Sequence, residues 1–270
     1  FEAMDGATIG TVSVTIDNVA GNASGTYTSN ATWTNGTIQF SGTGVVKVTI
    51  KDETSNPYSV YLEIVDAYNV TQYSELKDRT SVLLKDITMT SGGTYRLTDN
   101  KVLYGNGFTF DVRNGAYVGV DYDYASYVIY LEKSCLDNVQ IVGAVYPEVG
   151  GTKNDNFNRA IVMTGGDCVI TNSYISNGAS PIRNGGNLEL INTTLKGGAY
   201  ANLDLRNGHL ILDNVTTINQ IGANDKYNNT TEIIGLGIVV YQEGGTEGLK
   251  ITIRNSLTQY NMLAQNQKSY

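Results

Sequence analysis

Residues 1 to about 66 alternate apolar and polar positions with a period of two, as in Thr11-Val12-Ser13-Val14-Thr15-Ile16 and Val45-Val46-Lys47-Val48-Thr49-Ile50. Clusters of Gly, Asn and Ser break the alternation at hairpin-like intervals. Such alternation puts every second side chain on one face of a strand, so it predicts a small β-sandwich over residues 1–66. Residues 67–79 are polar and aperiodic and are expected to form a linker.

Beyond residue 80 a repeat takes over, predicting one continuous solenoid over residues 80–270. Five motifs share the form [Ile/Leu]-x-Asn: Leu136-Asp137-Asn138, Ile170-Thr171-Asn172, Leu190-Ile191-Asn192, Leu212-Asp213-Asn214 and Ile253-Arg254-Asn255. Their asparagines are 34, 20, 22 and 41 residues apart, which reads as one coil of about 20 residues, a double coil, and a coil carrying an insertion. The Pro-, Gly-, Asn- and Asp-containing stretch from Tyr146 to Phe157 is the natural insertion. A second landmark precedes the motif: Met163-Thr164-Gly165-Gly166, Ile182-Arg183-Asn184-Gly185, Leu205-Arg206-Asn207-Gly208 and Tyr241-Gln242-Glu243-Gly244. Each unit therefore reads strand, tight turn, strand ending in Asn, and a variable connection. Asn suits a corner because it tolerates left-handed backbone, and its amide can bond to the Asn of the next coil, which predicts an internal ladder. Period two puts Leu203 and Leu205 in the core and turns Asp204 and Arg206 to water.

Composition agrees with an all-β chain. Gly (30), Thr (30), Asn (28) and Tyr (19) are abundant, while charged residues make up 16%, below the usual figure of about 25%. Helical repeats are excluded, since Gly, Asn and Thr replace the Leu, Ala and Glu they need. With 18 basic and 26 acidic residues the net charge is −8, so neither nucleic acid nor an anionic membrane surface is an expected partner. The longest apolar runs, such as Gly237 to Tyr241, fall far short of the roughly 20 residues of a membrane-spanning helix. Because the chain opens at Phe1 without a basic-apolar leader, any export signal is expected to be removed or to lie outside these residues. Cys135 and Cys168 permit one disulfide, although two small buried thiols are the simpler reading. Eight Asn-x-Ser/Thr triplets, against roughly five by chance, carry little information.

Two resemblances follow from these residues. The stretch Ile38 to Ile50, followed by Tyr61-Leu62-Glu63-Ile64-Val65, resembles the C-terminal half of bacterial Ig-like domains, and the first strand or two of such a domain are expected to be absent. The [Ile/Leu]-x-Asn coils, with Leu83-Leu84-Lys85-Asp86-Ile87-Thr88-Met89 and Leu103-Tyr104-Gly105-Asn106-Gly107-Phe108 ahead of them, resemble the right-handed parallel β-helix of bacterial cell-surface and pectate-lyase-like proteins. An Ig-like module ahead of a β-helix is similar to the arrangement in large exported surface proteins of Gram-positive bacteria. That resemblance implies an extracellular or cell-surface location.

Catalysis on acidic glycans needs carboxylates converging on one bond, or on a cation beside it. Aligning the landmarks gives the rows Thr164, Arg183, Arg206, Gln242 and Val162, Pro181, Asp204, Val240, in which Asp204 is the only acid. Asp204 with Arg183 and Arg206 is therefore the candidate catalytic group, set against an ordinary exposed ion pair. Arg113-Asn114-Gly115 repeats the Arg-Asn-Gly turn, and the lone His209 lacks partners at metal-ligand spacing. Asp121 and Asp123, on one face of a strand, and Asp155, in an Asn-rich loop, are candidate calcium ligands, and no other cofactor is expected. Sugar rings lie on aromatic faces, which makes Tyr122, Tyr124, Tyr127, Tyr130 and Tyr200 candidate binding residues, with Tyr146 and Tyr174 in reserve.

The leading expectation is a non-enzymatic surface scaffold for adhesion or glycan binding, with a polysaccharide or a host or neighbouring surface protein as partner. A polysaccharide lyase or hydrolase acting on acidic glycans is one alternative. A self-associating subunit of a surface filament or layer is the other.

Overall fold

The computed structural model describes residues 13–29, 36–51, 57–119, 126–145, 159–199, 201–218, 223–224, 233–234, 236–242, 249–258 and 262–266. The chain forms two compact units, Phe1–Ala67 and Tyr68–Tyr270. In the first unit, strands Ser13–Gly21, Gly44–Lys51 and Tyr58–Ile64 form an antiparallel sheet with Gly44–Lys51 at its centre. A hairpin pairs Ser24–Ser29 with Gly36–Ser41. The alternation read from the sequence sets the core, in which Ala23, Val46 and Val48 are buried against Ile16, Phe40, Val60 and Leu62.

The second unit is a solenoid of three sheets. The first runs in order Tyr68–Val70, Ser81–Leu83, Val102–Tyr104, Cys135–Asp137, Asp167–Thr171, Asn187–Ile191, His209–Asp213 and Lys250–Arg254, with every pairing parallel. The second stacks Ile87–Thr88, Thr109–Asp111, Gln140–Val142, Tyr174–Ser176, Thr194–Lys196, Thr216–Ile218 and Leu257–Thr258 in the same sense. The third contains Tyr95–Thr98, Ser126–Glu132, Arg159–Gly165, Ser180–Asn184, Ala201–Leu205, Leu236–Gln242 and Met262–Asn266. Val118–Gly119 adds to Ser126–Tyr127 as an antiparallel flap.

Parallel register stacks like side chains vertically. Leu103, Leu136, Ile170, Leu190 and Leu212 form one buried column, and Ile129, Val162, Ile182, Leu203 and Ile238 form another. Each such side chain contributes about 1.5–3 kcal/mol on burial, so the columns, more than any single bond, hold the rungs in register.

The segment expected as a linker is instead the bottom of the solenoid. Tyr68–Val70 pairs with Ser81–Leu83, a 3-10 turn occupies Tyr73–Glu75, and Leu76 is buried in the core. Tyr73 stacks 6.2 Å from Phe110 and donates its hydroxyl to the carbonyl of Thr94 at 2.7 Å. Asp78 accepts the Thr98 amide at 2.9 Å and its hydroxyl at 2.7 Å, capping the first strand of the third sheet. A terminal rung must cover its apolar interior, and a short aperiodic segment with two large side chains does so without any strand pattern to announce it.

The five motif asparagines do superpose at one bend. All have left-handed backbone, with φ between 49° and 54°. Asn192 donates to Asn172 at 3.1 Å and Asn214 to Asn192 at 2.9 Å, while Asn172 and Asn255 donate to Asp137 and Asp213 at 2.9 and 3.2 Å. The ladder, however, is exposed and not internal. Left-handed backbone swings the Asn side chain outward and points the next residue in, so Ser173 and Thr193 are the buried ones. Their hydroxyls satisfy the carbonyls of Thr171 and Ile191 at 2.6 and 2.9 Å.

Candidate functional site

The outer face of the third sheet brings the sequence-derived candidates into one frame, although not in the rows aligned from the turns. Backbone pairing puts Arg96, Tyr130, Met163, Arg183, Asp204 and Val239 in a single row. Arg183 thus lies beside Asp204, and Thr164 pairs with Asn184 and, through it, with Leu205. The turn Leu205-Arg206-Asn207-Gly208 carries one residue more than Asn184-Gly185-Gly186, so aligning the Asn-Gly pairs slips the register. Thr164 and Asn184 face inward instead, joined by a hydrogen bond of 2.6 Å.

At the far end of the row, Asp204 is 1% exposed and Arg183 3%. Arg206 forks onto the carboxylate, Nε to Oδ1 at 2.7 Å and Nη2 to Oδ2 at 2.8 Å, and Arg183 Nε stands 3.9 Å from Oδ2. Both arginines engage further partners. Ser180–Asn184 and Ala201–Leu205 are buried along their whole length, on the outward as well as the inward face. The expectation that Asp204 faces water therefore fails. Strand periodicity places it on the outer face, but that face is covered here. A carboxylate so enclosed and so engaged by guanidinium groups is not open to a glycan chain passing outside the fold.

At the near end the same row is open. The Tyr127 and Tyr130 rings, both half-buried, lie 5.2 Å apart with planes tilted by 31°. The Arg96 guanidinium sits 5.1 Å from the centre of the Tyr130 ring and donates to Glu132 Oε2 at 2.7 Å. A Cβ on Gly165 would collide with the Tyr130 hydroxyl, so a glycine on the next rung leaves room for the ring to lean over it. Half-buried Met163, beside Tyr130, and exposed Val118, opposite Tyr127, continue the apolar surface. Partial burial pushes the Tyr130 phenol above its ordinary range, with Glu132 reinforcing and Arg96 opposing. The hydrogen bond it donates to Glu132 holds the Arg96 guanidinium still more firmly protonated.

Neither Glu132 nor Arg96 is among the sequence-derived candidates. Glu132 has a signal, being two residues from Tyr130 and so on its face; Arg96 has none, because its rung lacks the [Ile/Leu]-x-Asn motif that would have set its alignment. Tyr174 lies apart, in the second sheet. Tyr122, Tyr124, Tyr146 and Tyr200, the candidate calcium ligands Asp121, Asp123 and Asp155, and the insertion from Tyr146 to Phe157 lie outside the described residues. Among the described residues no three of His, Cys, Asp and Glu gather closely enough to hold a metal ion.

The cysteines are both free, Cys135 half-buried and Cys168 buried. Cys135 pairs with Val169, so Cys168, one residue earlier, points to the opposite side of the sheet. Burial pushes both thiols above their ordinary range.

No protein-family model, curated protein or solved structure matches the chain. Among the described residues no helix is long and apolar enough to cross a membrane.

Proposed function

We propose that this protein is an extracellular surface scaffold whose solenoid displays a glycan-binding platform, built on Tyr127 and Tyr130 and edged by Arg96 and Glu132. The observation that carries the reading is the half-exposed aromatic pair, flanked by a donor and an acceptor in hydrogen-bond contact with each other. The apolar faces of a pyranose lie on aromatic rings while its hydroxyls exchange hydrogen bonds with charged and amide groups at the rim. Rigid parallel rungs hold such groups in place without an ordering cost on binding. The pairing of a small antiparallel β-unit with a parallel solenoid, together with the resemblance to exported bacterial surface proteins, supports the location.

The test is an array of immobilised neutral and acidic oligosaccharides probed with the full chain and with a Tyr127→Ala/Tyr130→Ala variant. We expect retention by the parent on at least one glycan class and loss of at least about tenfold in affinity in the variant, the scale of two stacking contacts. Retention unchanged by the double substitution, or none for the parent, would overturn the reading.

A further inference from the structure

We infer that the Tyr127–Tyr130 platform selects uncharged sugars over acidic ones. This rests on the glycan-binding reading and adds the charge class of its ligand. Among the described residues, the one cation in the near half of the row, Arg96, is already engaged by Glu132 at 2.7 Å, so the pair offers a ligand almost no net charge. A uronate binding beside Tyr130 would have to take Arg96 from Glu132 or place its carboxylate near the Glu132 carboxylate, and either costs free energy that a hydroxyl does not. The second cluster of arginines, Arg183 and Arg206, is turned to the buried Asp204 carboxylate, with Arg183 buried and Arg206 largely so. The net charge of −8 adds a weak long-range repulsion against polyanions. Among the described residues, those beside the pair are apolar or neutral: Val118, the two tyrosine rings, and Met163 on the following rung. A neutral pyranose can still donate to a Glu132 oxygen and accept from Arg96 without separating them, because a carboxylate and a guanidinium each have more bonding positions than one partner fills.

The experiment is calorimetric titration of the full chain with three probes: a β-1,4-linked glucose hexamer, a β-1,4-linked xylose hexamer and an α-1,4-linked galacturonate hexamer. Each is run at about 0.01 M and about 1 M salt, where the screening length is about 30 Å and about 3 Å. We expect at least one neutral hexamer to bind with little salt dependence, and the galacturonate hexamer to bind about five- to tenfold more weakly at low salt, a gap that narrows at high salt. Glu132→Gln, which frees the guanidinium, is expected to raise the ratio of galacturonate to neutral-hexamer affinity about five- to tenfold at low salt. Tighter binding of the acidic hexamer by the parent would overturn the selectivity while leaving glycan binding intact. So would Glu132→Gln leaving that ratio where it was. Absence of binding by all three probes, combined with an empty array, would instead remove the glycan-binding reading itself.

Discussion

Arg96 and Glu132 near one end of the third sheet, and Arg183 and Asp204 further up it, are ion pairs on the same outward side of the same wall. The side chains of the first pair are 62% and 38% exposed, those of the second 3% and 1%. They sit within a few rungs of each other, at about 4.8 Å per rung, so neither strand geometry nor residue type separates them. Cover does. In water the pair is a weak contact whose groups remain free to meet a ligand. Under cover, the charges must be matched by the protein itself, and the bidentate fork of Arg206 on Asp204 with Arg183 nearby meets that demand. The same sequence feature, an Arg beside an acid on an outward strand position, is thus exposed to solvent in one place and internal architecture in the other.

The sharpest way to break this contrast is to remove the buried acid. Asp204→Ala leaves two guanidinium groups without their shared carboxylate, and we expect a loss of about 3–5 kcal/mol in urea unfolding. A cost below about 1 kcal/mol would mean that Asp204 behaves like a surface acid, erasing the distinction between the two halves of the row. Glycan retention on the Tyr127–Tyr130 platform is expected to persist in whatever fraction of this variant remains folded.

The contrast also requires rungs that superpose, and the external asparagine column guards that. Asn192 holds left-handed backbone at φ 49° while bonding the asparagines above and below it. Asn192→Ala loses both bonds and adds strain, at an expected cost of about 2 kcal/mol. Asn192→Gly loses the bonds without the strain and should recover about 1 kcal/mol of that. Equal costs for the two would show that the backbone angle is not what the asparagine secures.

A smaller effect tests the bottom rung, whose polar cap is partly open to solvent. Burial alone would raise the Asp78 carboxyl, but hydrogen bonds from the Thr98 hydroxyl and amide, with Lys101 3.0 Å away, outweigh it and hold it below its ordinary value of 3.8. A carboxylate whose folded value is depressed stabilises the fold fully above its unfolded value, and that share is lost as pH falls through the folded one. Thermal stability of the parent should therefore decline below about pH 4 more steeply than that of Asp78→Asn, which lacks the titrating group. Parallel curves would remove Asp78 from the cap.

How far the sequence reveals such differences depends on which physical demand each residue answers. The asparagine spacing was readable because every corner imposes the same left-handed backbone, and few side chains accept it. The inward columns were readable because period two repeats on each rung. Three features were not. The bottom cap is built once, so Tyr73, Leu76 and Asp78 have no repeat to betray them. The register of the outer rows depends on turn length, and one extra residue before Gly208 moved Arg183 opposite Asp204. Burial of Asp204 depends on what lies over a strand, and nothing within Ala201–Leu205 encodes that.

The weakest expected effect is the most direct test of the exposed half. A double-mutant cycle on Arg96→Ala and Glu132→Ala should give a coupling of about 0.2–1 kcal/mol in stability, shrinking with added salt. Arg96→Ala alone should cost slightly more than Glu132→Ala, since the guanidinium also lies 5.1 Å from the Tyr130 ring centre and gives up a cation–π contact of about 0.5–1 kcal/mol. Repeating the cycle in a Tyr130→Phe background keeps the ring and removes the phenol, so a preserved difference between the two single variants assigns it to the aromatic face. A coupling near that of the buried pair, unmoved by salt, would mean that the near half of the row is covered too. The platform would then lose the accessibility that both the proposed glycan binding and the proposed preference for uncharged sugars require.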